Sequence, residues 1–134
     1  MNTNDRLIRG RKVLVVEDEV MVSWLLEDML TDLGCAVIGP AARVVQALDL
    51  IDHQAIDAAV LDVNLDGETS YPIADALMAR GVPFFFSTGY DRDRLPATYR
   101  NIPVLQKPFH ASAIGATLAG LFLPQPLDHR AGHA

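Results

Sequence analysis

Cysteine is nearly absent: Cys35 is the only one in 134 residues. One thiol cannot close an internal disulfide or furnish a cysteine-based zinc site, and it suits a reducing compartment. Lysine is almost as scarce, with only Lys12 and Lys107, and 17 Asp and Glu outnumber 11 Lys and Arg for a net charge of −6. Nucleic-acid binding needs clustered positive charge to displace phosphate counterions, and anionic membranes need the same. Neither is expected as a partner. No apolar run approaches the roughly 20 residues that span a bilayer. The opening stretch, MNTNDRLIRGRK, lacks the apolar core of a signal peptide, so a cytoplasmic location is expected. There is no P-loop and no GxGxxG, and no internal repeat or low-complexity tract.

What is present suits one domain with a real core, since apolar residues make up 50% of the chain. Residues 1–10 are mostly polar and 124–134 (PQPLDHRAGHA) carry two prolines without periodicity; both read as tails around a domain at 11–123. No second domain follows residue 123, so a stand-alone module is expected. Inside it two periods alternate. KVLVVE (12–17), CAVIGP (35–40), IDAAVLD (56–62), VPFFFST (82–88) and PVLQ (103–106) read as five strands. Between them, Val22, Leu25, Leu26, Met29, Leu30 and Leu33 recur at helical spacing before Gly34. Val44, Ala47, Leu48 and Ile51 mark a second helix, and Ile73, Ala76 and Leu77, between Pro72 and Gly81, a third. A last helix at 110–123 faces inward with Ile114, Leu118, Leu121 and Phe122. The segment GYDRDRLPATYRNI lacks an apolar stripe and reads as a loop or a short, irregular fourth helix. Strands alternating with helices predict an α/β fold, a doubly wound parallel five-stranded sheet.

Open parallel sheets bind ligands beyond the carboxyl ends of their strands. Glu17-Asp18-Glu19 follows strand one, Asp62 ends strand three, Ser87-Thr88-Gly89 ends strand four and Lys107-Pro108-Phe109 follows strand five. With strand order 2-1-3-4-5, strands one and three are neighbours, and Glu17, Asp18 and Asp62 converge. Like charges that close disfavour each other unless a cation intervenes. Three carboxylates suit a hard divalent ion, and Mg2+ fits. Glu19 reads more simply as a helix-start residue. A pocket with Mg2+, a lysine and a hydroxyl suits phosphoryl chemistry, with a carboxylate as nucleophile. Asp62 is the candidate nucleophile, and Lys107 neutralises charge on the transferring group. Thr88 can hydrogen-bond the attached phosphoryl group and pull its loop inward as a switch.

The acidic pair after strand one, LDVN around Asp62, the Thr after strand four and KPF after strand five, all in order, resemble the receiver domain of bacterial two-component response regulators. Each motif alone is weak; four in register are specific. The resemblance implies a flavodoxin-like fold and a phosphoprotein that catalyses only its own phosphorylation and dephosphorylation. By position, Asp62 is the phosphoacceptor, Asp18 binds Mg2+ directly, Glu17 binds it through water and Asn64 through its backbone carbonyl. Lys107 contacts the phosphoryl group and Thr88 is the switch hydroxyl. The Lys107–Pro108 bond is expected to be cis. The phosphodonor is a histidine kinase or a histidine phosphotransfer protein. The output is contact with a downstream protein, and the donor docks at the face around the first helix, where Met21 or Met29 contributes an apolar patch.

Three features depart from the family pattern. The loop VNLDGETSYP after Asp62 is short and lacks the usual proline. FFSTGYD resembles the FATGUY signature of a receiver subgroup, with Ser87 in place of its alanine. Strand five carries Val104 where a mobile aromatic is usual, which leaves Tyr90 either as a substitute switch residue or as a cover for the loop. Two rivals remain. A dehalogenase-like phosphatase wants Asp-x-Asp after strand one, which Glu17-Asp18 does not supply. A pseudo-receiver that is never phosphorylated is opposed by the full acidic set and Lys107. His129 and His133 are spaced i, i+4 but have no third ligand. His53 and His110 read as helix ends, and Trp24 as packing or partner surface. Val45 and Leu50 lie off the second helix's main stripe, as packing or as a contact surface.

Overall fold

The computed structural model describes residues 3–89 and 95–123. In chain order these form α1 (Thr3–Ile8), β1 (Lys12–Val16), α2 (Val20–Asp32), β2 (Ala36–Ala41), α3 (Val44–His53) and β3 (Ala58–Asp62). A small pair follows, β4 (Asn64–Leu65) and β5 (Glu68–Thr69), then α4 (Tyr71–Ala79) and β6 (Phe84–Thr88). A 3₁₀ turn (Ala97–Tyr99), β7 (Val104–Gln106) and α5 (Ala111–Phe122) complete the described residues.

Successive side chains of a strand point to opposite faces, and here both faces are covered. Val13 and Val15 of β1, Val60 of β3 and Phe85 of β6 enter one apolar cluster with Leu26 and Leu30 of α2 and Ile114 and Leu118 of α5. The intervening Leu14, Val16, Leu61, Phe84 and Phe86 enter the other, with Ala47 and Ile51 of α3 and Ile73 and Leu77 of α4. That is why these strands read as unbroken apolar runs. Burying each Leu or Phe contributes about 1.5–3 kcal/mol, so the two clusters together drive the layering. Within the five-stranded sheet all neighbouring strands are parallel, in the order β2-β1-β3-β6-β7. This is the flavodoxin-like arrangement expected of strands 2-1-3-4-5, and between β6 and β7 the described residues hold a 3₁₀ turn.

Three local features differ from the sequence reading. Residues 1–10 were expected to be a polar tail, yet Thr3–Ile8 is a helix whose Ile8 is fully buried. The Gly10 N–H donates to the Gly34 carbonyl (2.8 Å), and the Arg11 guanidinium lies 4.0 Å from the Phe122 ring centroid. So short a helix owes its stability to tertiary packing rather than to propensity, and its two apolar residues, Leu7 and Ile8, were too few to register as a stripe. The loop after Asp62 folds into the β4–β5 hairpin, turned by Asp66 (φ 46) and Gly67 (φ 93). Positive φ at both central residues is the requirement of a tight hairpin turn, which Asp-Gly satisfies. Leu25, placed on the inner stripe of the first predicted helix, is 48% exposed instead.

At the end of β2, Gly39 adopts φ 96 before a cis bond to Pro40. A Cβ there would stand 2.9 Å from the Ala41 nitrogen and 3.0 Å from the Val15 carbonyl. Only glycine lets β2 approach β1 so closely, and the register between them shifts at this point.

Candidate functional site

The carboxyl ends of β1, β3 and β6 meet at one edge of the sheet. Asp62 is the last residue of β3 and pairs with Ser87 of β6. The Glu17 N–H donates to the Ala41 carbonyl (2.9 Å), which carries β1's ladder one residue further and fixes Glu17 at the rim. The structure brings together the acids singled out from sequence. Glu17, Asp18 and Asp62 each offer a carboxylate oxygen within 4.8 Å of the others. Glu17 and Asp62 are buried and Asp18 is half-buried.

Lys107 supplies the opposing charge. Its Nζ donates to Glu17 Oε1 (2.8 Å) and to Asp62 Oδ2 (3.3 Å). The Lys107–Pro108 peptide is cis, and the Lys107 N–H donates to the Thr88 carbonyl (2.8 Å), which holds the start of this turn against β6. Glu17's second oxygen, Oε2, accepts from the Glu19 N–H (3.1 Å). Asp62 Oδ1 accepts a long bond from the Asn64 N–H (3.4 Å).

Burial raises the Glu17 carboxyl above its ordinary value, and the Asp62 charge adds to this; the Lys107 hydrogen bond and the Glu19 N–H oppose it without cancelling it. Burial works to lower Lys107, but its bond to Glu17 and the charges of both acids outweigh that and hold it above its usual value. The two directions have different main causes: burial at Glu17, and the pair of neighbouring acids at Lys107. Three carboxylates sharing one ammonium keep excess negative charge, the condition under which a hard divalent cation with oxygen ligands fits. Asp18 and Asp62 line the cleft above the cluster, whereas Glu17 does not.

A cleft of about 510 Å³ opens above these groups, walled by Asp18, Asp62, Asn64, Asp66, Thr88 and Lys107. Thr88 ends β6 and is 1% exposed. The adjacent Ser87 is equally buried, and its hydroxyl has no hydrogen-bond partner. Asp66 and Gly67 at the cleft wall were not singled out from sequence; the Asp-Gly pair was the available signal. A groove of about 610 Å³ lies at the opposite end of the sheet, between Met78, Pro83, Ile102 and Gly120, but no titratable side chain lines it.

The remaining candidates lie elsewhere. Val104 sits beside Phe86 in the sheet, half-buried. Tyr90, His129 and His133 fall outside the described residues. Val20, Met21, Trp24 and Leu25 are exposed at the start of α2, whereas Met29 packs against the core. Val45 is exposed, but Leu50 packs against the core. Glu19 precedes α2 without a side-chain cap bond, and His110 does the same before α5. His53 ends α3 and pairs with Asp49. No helix among the described residues is long and apolar enough to cross a membrane.

Residues 13–119 match the response regulator receiver domain family. The chain is similar to the solution structure of SdrG from Sphingomonas melonis Fr1, with 42% identity and a TM-score of 0.76 over 87% of this chain and 98% of that one. It is also similar to the receiver domain of the sensor histidine kinase PA1611 from Pseudomonas aeruginosa, solved with a magnesium ion coordinated in its active site cleft. There the identity is 27% and the TM-score 0.73, over 84% of this chain and 98% of that one. Among curated proteins, the phyllosphere-induced regulator PhyR of Methylorubrum extorquens is 29% identical over 128 residues, covering 91% of this chain and 48% of the relative. The chain spans about half the length, or less, of the curated relatives it matches. With the sheet order and the acidic edge described above, these matches show that the chain belongs to the response regulator receiver domain family.

Proposed function

We propose that this receiver takes a phosphoryl group from a histidine kinase or histidine phosphotransfer protein onto Asp62, in a Mg2+-dependent reaction, and signals through phosphorylation-dependent contacts with a downstream protein. The observation that carries the reading is Lys107 Nζ held between Glu17 and Asp62 at 2.8 and 3.3 Å, inside a cluster with surplus negative charge. The similarity to a receiver solved with magnesium supports it, as does the FATGUY-like sequence FFSTGYD, whose first four residues belong to β6.

Asp18 and Asp62 would hold Mg2+ directly, Glu17 through water, and Asn64 through its carbonyl. When bound, the ion neutralises charge on the phosphoryl oxygens. The chain's own groups do the rest. An Asp62 carboxylate oxygen attacks phosphorus; its O–P bond forms as the donor's N–P bond breaks, and the imidazole leaves with its electron pair and takes up a proton. Lys107 stands against Asp62 and would offset the charge carried by the transferring group. Thr88, one residue beyond the partner of Asp62 on the neighbouring strand, offers a hydroxyl to the attached phosphoryl group and would draw the end of β6 inward. The exposed apolar start of α2, with Met21 and Trp24, is the surface for donor docking.

The test is intact mass after incubation with acetyl phosphate and Mg2+. One phosphoryl adduct is expected, absent in Asp62→Asn and absent when Mg2+ is chelated. No adduct with acetyl phosphate or with a histidine kinase would overturn the reading in favour of a binding module that is never phosphorylated.

A further inference from the structure

The acidic cluster is assembled from two separate pieces of chain. Glu17 and Asp18 follow β1, whereas Asp62 and Asn64 come from β3 and the hairpin behind it. The hairpin has two residues in each strand, and a two-stranded ribbon is marginal by itself. Its Leu65 is fully buried in the cluster that includes α3. Directly across the ribbon from Leu65 stands Glu68.

Glu68 reaches back to the start of α3. Its Oε2 accepts from Arg43 Nε at 2.7 Å and from the Val44 N–H at 3.3 Å. The Val44 N–H opens the helix, an end that favours a carboxylate. The short link from there to β1 is pinned as well. Gln46 Oε1 accepts from the Ala42 and Arg43 N–H groups (3.0 and 3.2 Å), and the Ala41 carbonyl accepts from the Glu17 N–H (2.9 Å). A closed ring of contacts thus runs from Glu17 through Ala41, Arg43 and Glu68 to the hairpin and back to Asp62.

We infer that Glu68 is a positioning residue for cation binding, closing this ring so that the β1 acids and the hairpin's Asn64 keep the spacing a divalent ion needs. It does not line the cleft above the acidic cluster, so it would act through the hairpin and not as a ligand. The inference rests on reading the acidic cluster as the Mg2+ site of a receiver. Its competitor is that Arg43–Glu68, with side chains 58% and 32% exposed, is an ordinary surface ion pair. Such pairs contribute little to global stability, so stability alone cannot separate the two. Cation affinity does.

The experiment is a calorimetric titration of the apoprotein with Mg2+, beside the acetyl phosphate reaction and urea unfolding. Glu68→Gln is expected to weaken Mg2+ binding about tenfold, the lower edge of what groups outside the ligand set do to metal affinity. Its urea midpoint and its adduct rate at saturating Mg2+ should stay near those of the native chain. Arg43→Gln should weaken binding in the same direction, and the double variant should be no weaker than Glu68→Gln, because both act through one contact. Unchanged Mg2+ affinity in Glu68→Gln, or losses that simply add in the double variant, would overturn the inference and leave the receiver reading intact. A native chain that binds no Mg2+ and takes no adduct would overturn the receiver reading and this inference with it.

Discussion

Lys107 matters because of what it separates. Glu17 has no exposed side-chain surface, and the lysine is the cation in contact with both it and Asp62. Breaking a buried pair by removing one partner leaves an uncompensated charge and costs about 3 kcal/mol or more. Lys107→Met should therefore lose about 3 kcal/mol in urea unfolding without Mg2+. Most of that should return when Mg2+ is added, since ligand at roughly 100 times Kd stabilises by ~2.7 kcal/mol. A variant equally unstable with and without Mg2+ would mean that the ion does not relieve the charge the lysine leaves behind. Tyr99 shows a second residue-scale effect. Its hydroxyl donates to Asp75 (2.7 Å), and burial, followed by that bond, pushes the phenol up to about 12. An unfolded Tyr99 ionises near pH 10 while the folded one keeps its proton. The folded state then holds more protons between pH 10 and 12, so stability falls as pH rises through that window. Absorbance titration should show one phenol with a midpoint near 12 that is missing in Tyr99→Phe. In that variant the alkaline loss of stability should be shallower.

Among the elements, the strands and long helices were legible and the small pieces were not, for a physical reason. The helix α2 buries Leu26 and Leu30, four residues apart, and stops at Gly34 with φ 90; that periodicity survives any context. The helix α1 has no such pattern, because Ile8 earns its burial from α5 and α2 rather than from its own helix. The hairpin is two residues a side, shorter than any window in which alternation can be counted. Of the site, Glu17, Asp18, Asp62, Thr88 and Lys107 were legible, because strand ends in a parallel sheet share one edge. Asp66 and Glu68 were not, because their places depend on a turn that looked like loop. The tie between β1 and β2 is testable at Gly39. Gly39→Ala puts a Cβ against backbone atoms at 2.9 and 3.0 Å and forces a positive φ. A loss of about 1–3 kcal/mol is expected in urea unfolding. A change smaller than about 0.5 kcal/mol would show that the strand end relaxes freely.

Across the whole molecule, one sheet separates two apolar clusters, and the site sits where both layers end. Phe85 anchors one cluster and Phe86 the other from adjacent positions of β6. The strand that carries Thr88 is thus gripped from both sides up to the residue before Ser87. This follows from unbroken apolar runs, which the sequence displays openly, whereas the closing of the sheet's far end by α1 does not show there. That closure has a use at the bench. Cys35 is 7% exposed, its Sγ lies 3.5 Å from the Ile8 carbonyl, and burial raises the thiol above its ordinary value. A thiol in that condition is doubly slow to react, being both shielded and protonated. A chain cut to begin at residue 11 loses the shield, and its thiol should react with an aromatic disulfide reagent at least about tenfold faster. An unchanged rate would mean that α1 does not cover it. The one cysteine in the sequence is in this way a stopwatch for the amino-terminal helix, reporting by chemical labelling how often it lifts.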